Sequence, residues 1–314
     1  MMKKLYYIGL FFMFLLIWGC DKEDDLTPSG HEKEWMIIED SDDPLDKLRY
    51  EIFRDYGVPT YYNDTIGSEE RVDMLGNTYT YYERLKIFYY PGGATSSNYS
   101  GAILDFVDED VRESVLIPVL ESFRDKIFAR FEKGTRLPAF FFADSIGTVN
   151  LWGEYNRVES YYGYNTFAVN LDSLPFLGVE KFTSKTLTTY FTGLLSSSAQ
   201  SGWKSAFLNV TKSLKQGLEY SSSMESYAAV SLVEALQGTK FTRKEELGFV
   251  VSCNSKSGVE SIPTESVDLS SYIDKVLIYT EVKFEEEYGE FEPVMVKFRM
   301  MRNKLVELGY LLKN

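Results

Sequence analysis

Apolar positions change their rhythm several times along the chain, and the changes mark out its organisation. Lys3 and Lys4 precede an unbroken apolar run from Leu5 to Trp18, too short and too asymmetrically flanked for an ordinary membrane-spanning helix. Residues 21–44 are rich in Asp, Glu, Ser, Gly and Pro with few apolar anchors, the composition of a flexible acidic tether. Regular patterns begin at Leu45. Leu48, Ile52 and Phe53 recur at helical spacing within Asp46 to Tyr56, and Gly57 and Pro59 follow, which predicts a short, cleanly terminated helix. A stronger helix is predicted from Val111 to Phe131, where Val115, Val119, Phe123 and Ile127 share a face and Asp108, Glu109 and Asp110 sit at the positive end. Pro118 lies inside it as a candidate kink. Strands are expected at Leu85 to Tyr90, Leu137 to Ala143, Val149 to Trp152 and Thr166 to Leu171. From Thr183 the pattern turns helical, with segments at Thr183 to Ser197, Met224 to Leu236, Leu269 to Glu286 and Pro293 to Leu308, the last stopped by Gly309. The expected architecture is α+β: a lobe over 45–182 with a small mixed sheet, then a mostly helical lobe over 183–314.

The first apolar run reads as a signal peptide over residues 1–19. It ends in Leu16-Ile17-Trp18-Gly19-Cys20, which resembles a bacterial lipobox and implies lipid attachment at Cys20. Two or three acyl chains, at ~0.8 kcal/mol per buried methylene, give lasting anchorage. The run Asp21-Lys22-Glu23-Asp24-Asp25 that follows resembles the acidic export signal of Bacteroidetes-type lipoproteins. The expected location is therefore the outer membrane, lipid-anchored and facing the exterior. Removal of Lys3 and Lys4 with the leader moves the formal charge from −14 to −16. No basic stripe interrupts that acidity, so nucleic acid is not an expected partner. With Cys20 lipidated, Cys253 has no cysteine left to pair with, and stability must come from packing, for which 44% hydrophobic and 16% aromatic residues are ample.

Candidate chemistry is narrow. The sole histidine is His31, in the tether, so the folded region has no imidazole for a Ser-His-Asp triad, a Cys-His pair or an HExxH zinc site. Phosphate-binding glycine loops are absent, and Pro91-Gly92-Gly93 reads as a plain turn. Asp40, Asp42, Asp43 and Asp46 lack the glycine turn and terminal glutamate of an EF-hand loop and read as solvated tether. A hydrolase working through paired carboxylates stays open, since 47 acids supply many candidates. So does a glycan- or peptide-binding lipoprotein with exposed aromatic platforms, for which Trp152, Tyr161 and Tyr162 are the first candidates.

The stretch Thr186-Leu187-Thr188-Thr189-Tyr190-Phe191-Thr192-Gly193-Leu194-Leu195 resembles the active-site helix of the zincin-like zinc metallohydrolase lipoproteins that accompany SusC/SusD-type import systems, where T-[IL]-H-H-E-F-x-H-I-L is expected. Position by position, Thr189 stands at the first zinc histidine, Tyr190 at the general-base glutamate and Gly193 at the second histidine. The resemblance covers residues 45–314 and implies a zincin-like α/β lobe followed by a mostly helical C-terminal lobe, and the substitutions imply a degenerate form without zinc, cofactor or catalytic set. The function it implies is an accessory binding or scaffold component of nutrient uptake, alongside SusC/SusD-like importer components.

Overall fold

A computed structural model describes residues 35–85, 101–149, 155–163, 166–222, 229–255 and 258–312. Ile37–Asn314 forms one compact unit, and the fold class is α+β. Folding starts earlier than the expected boundary at Leu45. Ile38 is buried, and helix α1 (Pro44–Tyr56) is N-capped by Asp43, whose carboxylate accepts from the Asp46 amide at 2.9 Å. Asp46 itself pairs with Arg49 at 2.6 Å, so two of the acids assigned to the tether are structural. Gly57 ends α1 in the left-handed conformation, φ 70°.

The main sheet has four strands in the order β1-β5-β9-β8, formed by β1 (Thr60–Tyr61), β5 (Ala139–Ala143), β8 (Ser160–Tyr162) and β9 (Thr166–Asn170). β1, β5 and β9 run parallel, while β8 pairs antiparallel with β9 and forms an edge. Every residue of β5 and β9 is buried, as both-face coverage requires of a central parallel pair. Phe140, Phe142, Phe167 and Val169 point into the main core, whereas Phe141 meets Phe106 edge-on at 6.2 Å. The core face is covered by helix α2 (Arg112–Lys126) and helix α3 (Leu174–Ser196). Phe123 of α2 touches Phe140 at 6.1 Å, Phe142 at 5.1 Å and Phe182 of α3 at 6.3 Å between ring centroids.

A second, antiparallel sheet contains β4 (Gly101–Asp105), β6 (Ser145–Val149) and β7 (Tyr155–Arg157). Buried Asn170, at the end of β9, ties the two sheets by donating to the carbonyls of Ile146 and Val158 at 3.2 and 2.8 Å. β2 (Thr65–Val72) and β3 (Thr78–Arg84) form a separate hairpin, and β10 (Cys253–Asn254) and β11 (Glu260–Ser261) a short ribbon.

Several sequence expectations are amended. α2 ends at Lys126, and Phe128–Arg130 continues as a 3₁₀ turn that still buries Phe128 and Phe131. Pro118 sits within the helix. The helix expected over Thr183 to Ser197 starts a turn or more earlier and is interrupted at Gly178, φ 69° and ψ 161°, so the expected boundary at 182/183 falls inside α3. A helix at Ser201–Lys212 (α4) was not foreseen. Met224 to Leu236 is not one helix in its described part: only α5 (Leu232–Leu236) is helical, after Ser231 bridges Ser261. The segment expected over Leu269 to Glu286 is two helices, α6 (Glu265–Ile278) and α7 (Glu281–Tyr288), because Thr280 caps the second with its hydroxyl. Helix α8 (Glu292–Glu307) follows, and Gly309 (φ 85°) turns the chain so that Tyr310 pairs with Phe131. Of the expected strands, the parts of Leu85 to Tyr90 and Val149 to Trp152 beyond Leu85 and Val149 lie outside the described residues. No described helix is long and apolar enough to cross a membrane.

The helical half is pinned by a buried ion pair. Lys297 of α8 and Asp268 of α6, both fully buried, meet at 2.5 Å. The ammonium also donates to the Gly248 carbonyl at 3.0 Å and to the Thr211 hydroxyl of α4 at 3.2 Å. Tyr220 donates its hydroxyl to the same Asp268 oxygen at 2.7 Å. Phe207, Tyr272 and Phe249 surround the ammonium at 4.7, 5.0 and 5.2 Å. Burial pushes the Asp268 carboxyl up and the Lys297 ammonium down; their mutual attraction resists both shifts, and the Tyr220 hydrogen bond also resists that of Asp268. Lys297→Met, which strands a buried carboxylate, is expected to lower stability by about 3–5 kcal/mol in urea unfolding followed by circular dichroism, and Lys297→Met/Asp268→Leu to recover most of it. A single-variant loss below about 1 kcal/mol would contradict this role.

Candidate functional site

The three positions of the HExxH frame lie on α3, beneath the edge strand of the main sheet, and each has a structural assignment. Thr189 is half-exposed, and its hydroxyl donates to the Lys185 carbonyl one turn back at 2.9 Å. Tyr190 is 5% exposed and faces the core. Its ring meets Phe167 at 5.3 Å, Phe140 at 6.0 Å and Phe131 at 6.4 Å, and burial pushes its phenol up to about 12. Gly193 lies under Tyr162 of β8. A Cβ built on Gly193 would stand 2.2 Å from Cε2 and 2.7 Å from Cδ2 of that ring, far inside any real contact.

Tyr162, expected as one of the exposed aromatic candidates, is instead the packing partner of these helix positions. Its ring stacks on Tyr190 at 5.7 Å with an interplanar angle of 27° and tilts against Phe167 at 4.7 Å. Its hydroxyl donates to the Tyr190 carbonyl, and burial raises its pKa. The contact explains a bare glycine in the middle of a helix, where Gly ordinarily costs about 1 kcal/mol relative to Ala. A larger residue at 193 and the Tyr162 ring cannot share the space.

The aromatic candidates separate under the structure. Tyr162 spends its ring on Tyr190 and Gly193 and its hydroxyl on the backbone, so it is not a free planar platform. Tyr161 is half-exposed on the opposite side of the two-residue strand alternation. Trp152 lies outside the described residues, as do Cys20 and His31. Between Ser160 of β8 and α3 is a narrow cleft of about 10 Å³ bordered by Glu159, Ser160, Asn170, Lys185, Thr186 and Thr189, room for about one water molecule. Lys185 closes it with an ion pair to Glu159 at 2.6 Å. On the far side of α3, Thr188 donates to Asp274 of α6, and burial raises that carboxyl.

Among the described residues, no three His, Cys, Asp or Glu side chains converge as metal ligands would. Cys253 is free and half-buried, and burial raises its thiol. Comparison with protein-family models, with curated proteins and with solved structures returns no match.

The Tyr162–Gly193 contact makes a prediction of sign. Gly193→Ala is expected to destabilise the protein by about 1–3 kcal/mol in thermal or urea unfolding, as overpacking does. In a Tyr162→Ala background the same change should become neutral or stabilising, giving a non-additive term above about 1 kcal/mol. Stabilisation by Gly193→Ala in both backgrounds would remove the steric explanation.

Proposed function

We propose that this chain is a surface lipoprotein of the outer membrane, anchored through Cys20, and a zincin-like protein in descent that has lost catalysis. It acts as an accessory binding or scaffold component of nutrient uptake, beside SusC/SusD-like importer components. One observation carries the reading: α3 runs under the edge strand, the placement expected of the zincin active-site helix, and the volume at its second histidine position is taken by the Tyr162 ring.

The chemistry follows from that packing. A zincin helix works by aiming two imidazoles, at i and i+4, at one zinc ion, with a carboxylate beside the first to activate the bound water. Here the first position carries a hydroxyl turned back onto its own helix, the carboxylate position carries a core phenol, and the second position has no side chain. The helix keeps its place because it is core: Leu187, Tyr190, Phe191 and Leu195 are all buried. A binding or scaffold role asks only for that rigid body and its exposed surface.

The lipid anchor and the lost metal site are tested separately. Cys20→Ser is expected to abolish fatty-acid labelling and release the protein from the membrane fraction, and retained labelling would count against the anchor. The protein incubated with excess zinc and then dialysed is expected to hold far less than one zinc per chain by elemental analysis and to cleave no peptide in a chelator-sensitive way. Stoichiometric zinc with chelator-sensitive cleavage would overturn the reading.

A further inference from the structure

The β2–β3 hairpin stands apart from the sheets that build the core. Its strands pair only with each other, and no residue of either is buried. The 7 residues of β3, at ~3.4 Å each, carry its tip roughly 24 Å from its base. At that tip Met74 is fully exposed and Leu75 is 88% exposed, with Val72 beside them at 66%. Exposed apolar side chains scattered singly are ordinary, but three grouped at the end of a ribbon form a patch.

The tip is a built turn. The Asp73 carboxylate accepts from the Leu75 and Asn77 amides, both at 2.8 Å, and from the Asn77 side chain at 3.1 Å. The Asp73 amide donates to the Asn77 carbonyl at 2.9 Å and the Gly76 amide to the Asp73 carbonyl at 3.0 Å, with Gly76 left-handed at φ 86°. These bonds occupy the polar groups of the turn and leave the Met74 and Leu75 side chains outside it. Between Val72 and Tyr82 the only charged side chain is Asp73, in a chain whose formal charge is −14. Behind the tip, Tyr79 and Tyr82 are half-exposed, rings with polar ends of the kind that suit a membrane–water boundary.

Two side chains supply far less than the roughly 800 Å² per partner of a stable protein interface, whereas a bilayer demands no matching surface. Chain length puts one within reach. Only residues 21–34 lie between Cys20 and Trp35, and at up to about 3.6 Å each they keep Trp35 within about 50 Å of a lipid on Cys20. We infer that the Met74–Leu75 tip dips into the bilayer that holds the Cys20 lipid, as a second and shallow membrane contact; this rests on the anchor proposed above. So small a tip binds weakly on its own, and the anchor turns its contact into an intramolecular one. Asp73 limits the depth. The Asn77 side chain and the backbone amides of the turn hold its carboxyl below the usual range, so it stays charged and stays at headgroup level while Met74 and Leu75 pass beneath.

The test places an environment-sensitive fluorophore on Met74→Cys or Leu75→Cys, in a Cys253→Ser background, on phosphatidylcholine vesicles. One arm uses the lipidated protein, and a second uses Cys20→Ser held by an N-terminal histidine tag on a nickel-chelating lipid. In both arms the label is expected to shift to the blue and to be quenched by lipids brominated near the top of the acyl chain, but not by those brominated at its end. The same label on Val233→Cys of α5, 77% exposed, is expected to report water. A label on Thr78→Cys should be quenched with the native tip and lose that quenching in Met74→Ser/Leu75→Ser, with the melting temperature unchanged. Labels at 74 and 75 that report water in the tagged arm would overturn the inference while leaving the lipid anchor standing, as would equal quenching at 233 or quenching at 78 that survives the double serine change. Quenching at 74 and 75 in the tagged arm, with no lipid found on Cys20, would keep the tip and remove the anchor.

Discussion

The packing of α3 against the sheet depends on a side chain that is not there. With only hydrogen at Gly193, the helix approaches the edge strand closely enough for the Tyr162 ring to lie across it and for the Tyr162 hydroxyl to reach the Tyr190 carbonyl. That approach seats Tyr190 and Phe191 among Phe131, Phe140, Phe167 and Tyr310. Phe131 and Tyr310 in turn join the turn after α2 to the end of the chain. A side chain with the volume of an imidazole at 193 would have to displace either the ring or the helix. Position 193 is therefore a packing position in this chain.

The helical half is organised by a different device. Lys297 and Asp268 are buried together and bring α4, α6, α8 and the Gly248 turn to one point. The pair need not add net stability, since taking both charges out of water offsets their attraction. What it does is penalise every arrangement in which one charge is buried without the other, which fixes how the helices register. Glu265, one turn before Asp268 on α6, faces outward instead and meets Lys204 and Lys212 of α4. The same helix start thus supplies a structural acid to the core and a second acid to the surface.

Much of this was legible in the residue pattern, and the exceptions have physical causes. The apolar runs of β5 and β9 and the amphipathic faces of α1, α2 and α8 stand out because burial is enforced along their length, and Gly57 and Gly309 mark helix ends through their positive φ. The β2–β3 hairpin was missed because its residues are half-exposed or exposed throughout, which blurs the two-residue alternation. α4 was missed because its serine- and lysine-bearing face masks the spacing of Phe207, Leu208 and Thr211. The break between α6 and α7 turns on one hydroxyl, that of Thr280, inside a continuous helical pattern. At the site, Thr189, Tyr190 and Gly193 could be placed on one helix from the chain alone. Their partner could not: Tyr162 is 28 residues from Tyr190 in sequence, and only strand pairing brings it there.

The central claim is geometric, and nuclear Overhauser contacts test it most directly. In the folded protein, cross-peaks between the Tyr162 ring protons and the Gly193 α-protons are predicted to be among the strongest long-range contacts of α3, and to persist when zinc is added. A Tyr162 ring without contacts to Gly193, or one that leaves the helix on addition of zinc while side chains near Thr189 shift, would contradict the account.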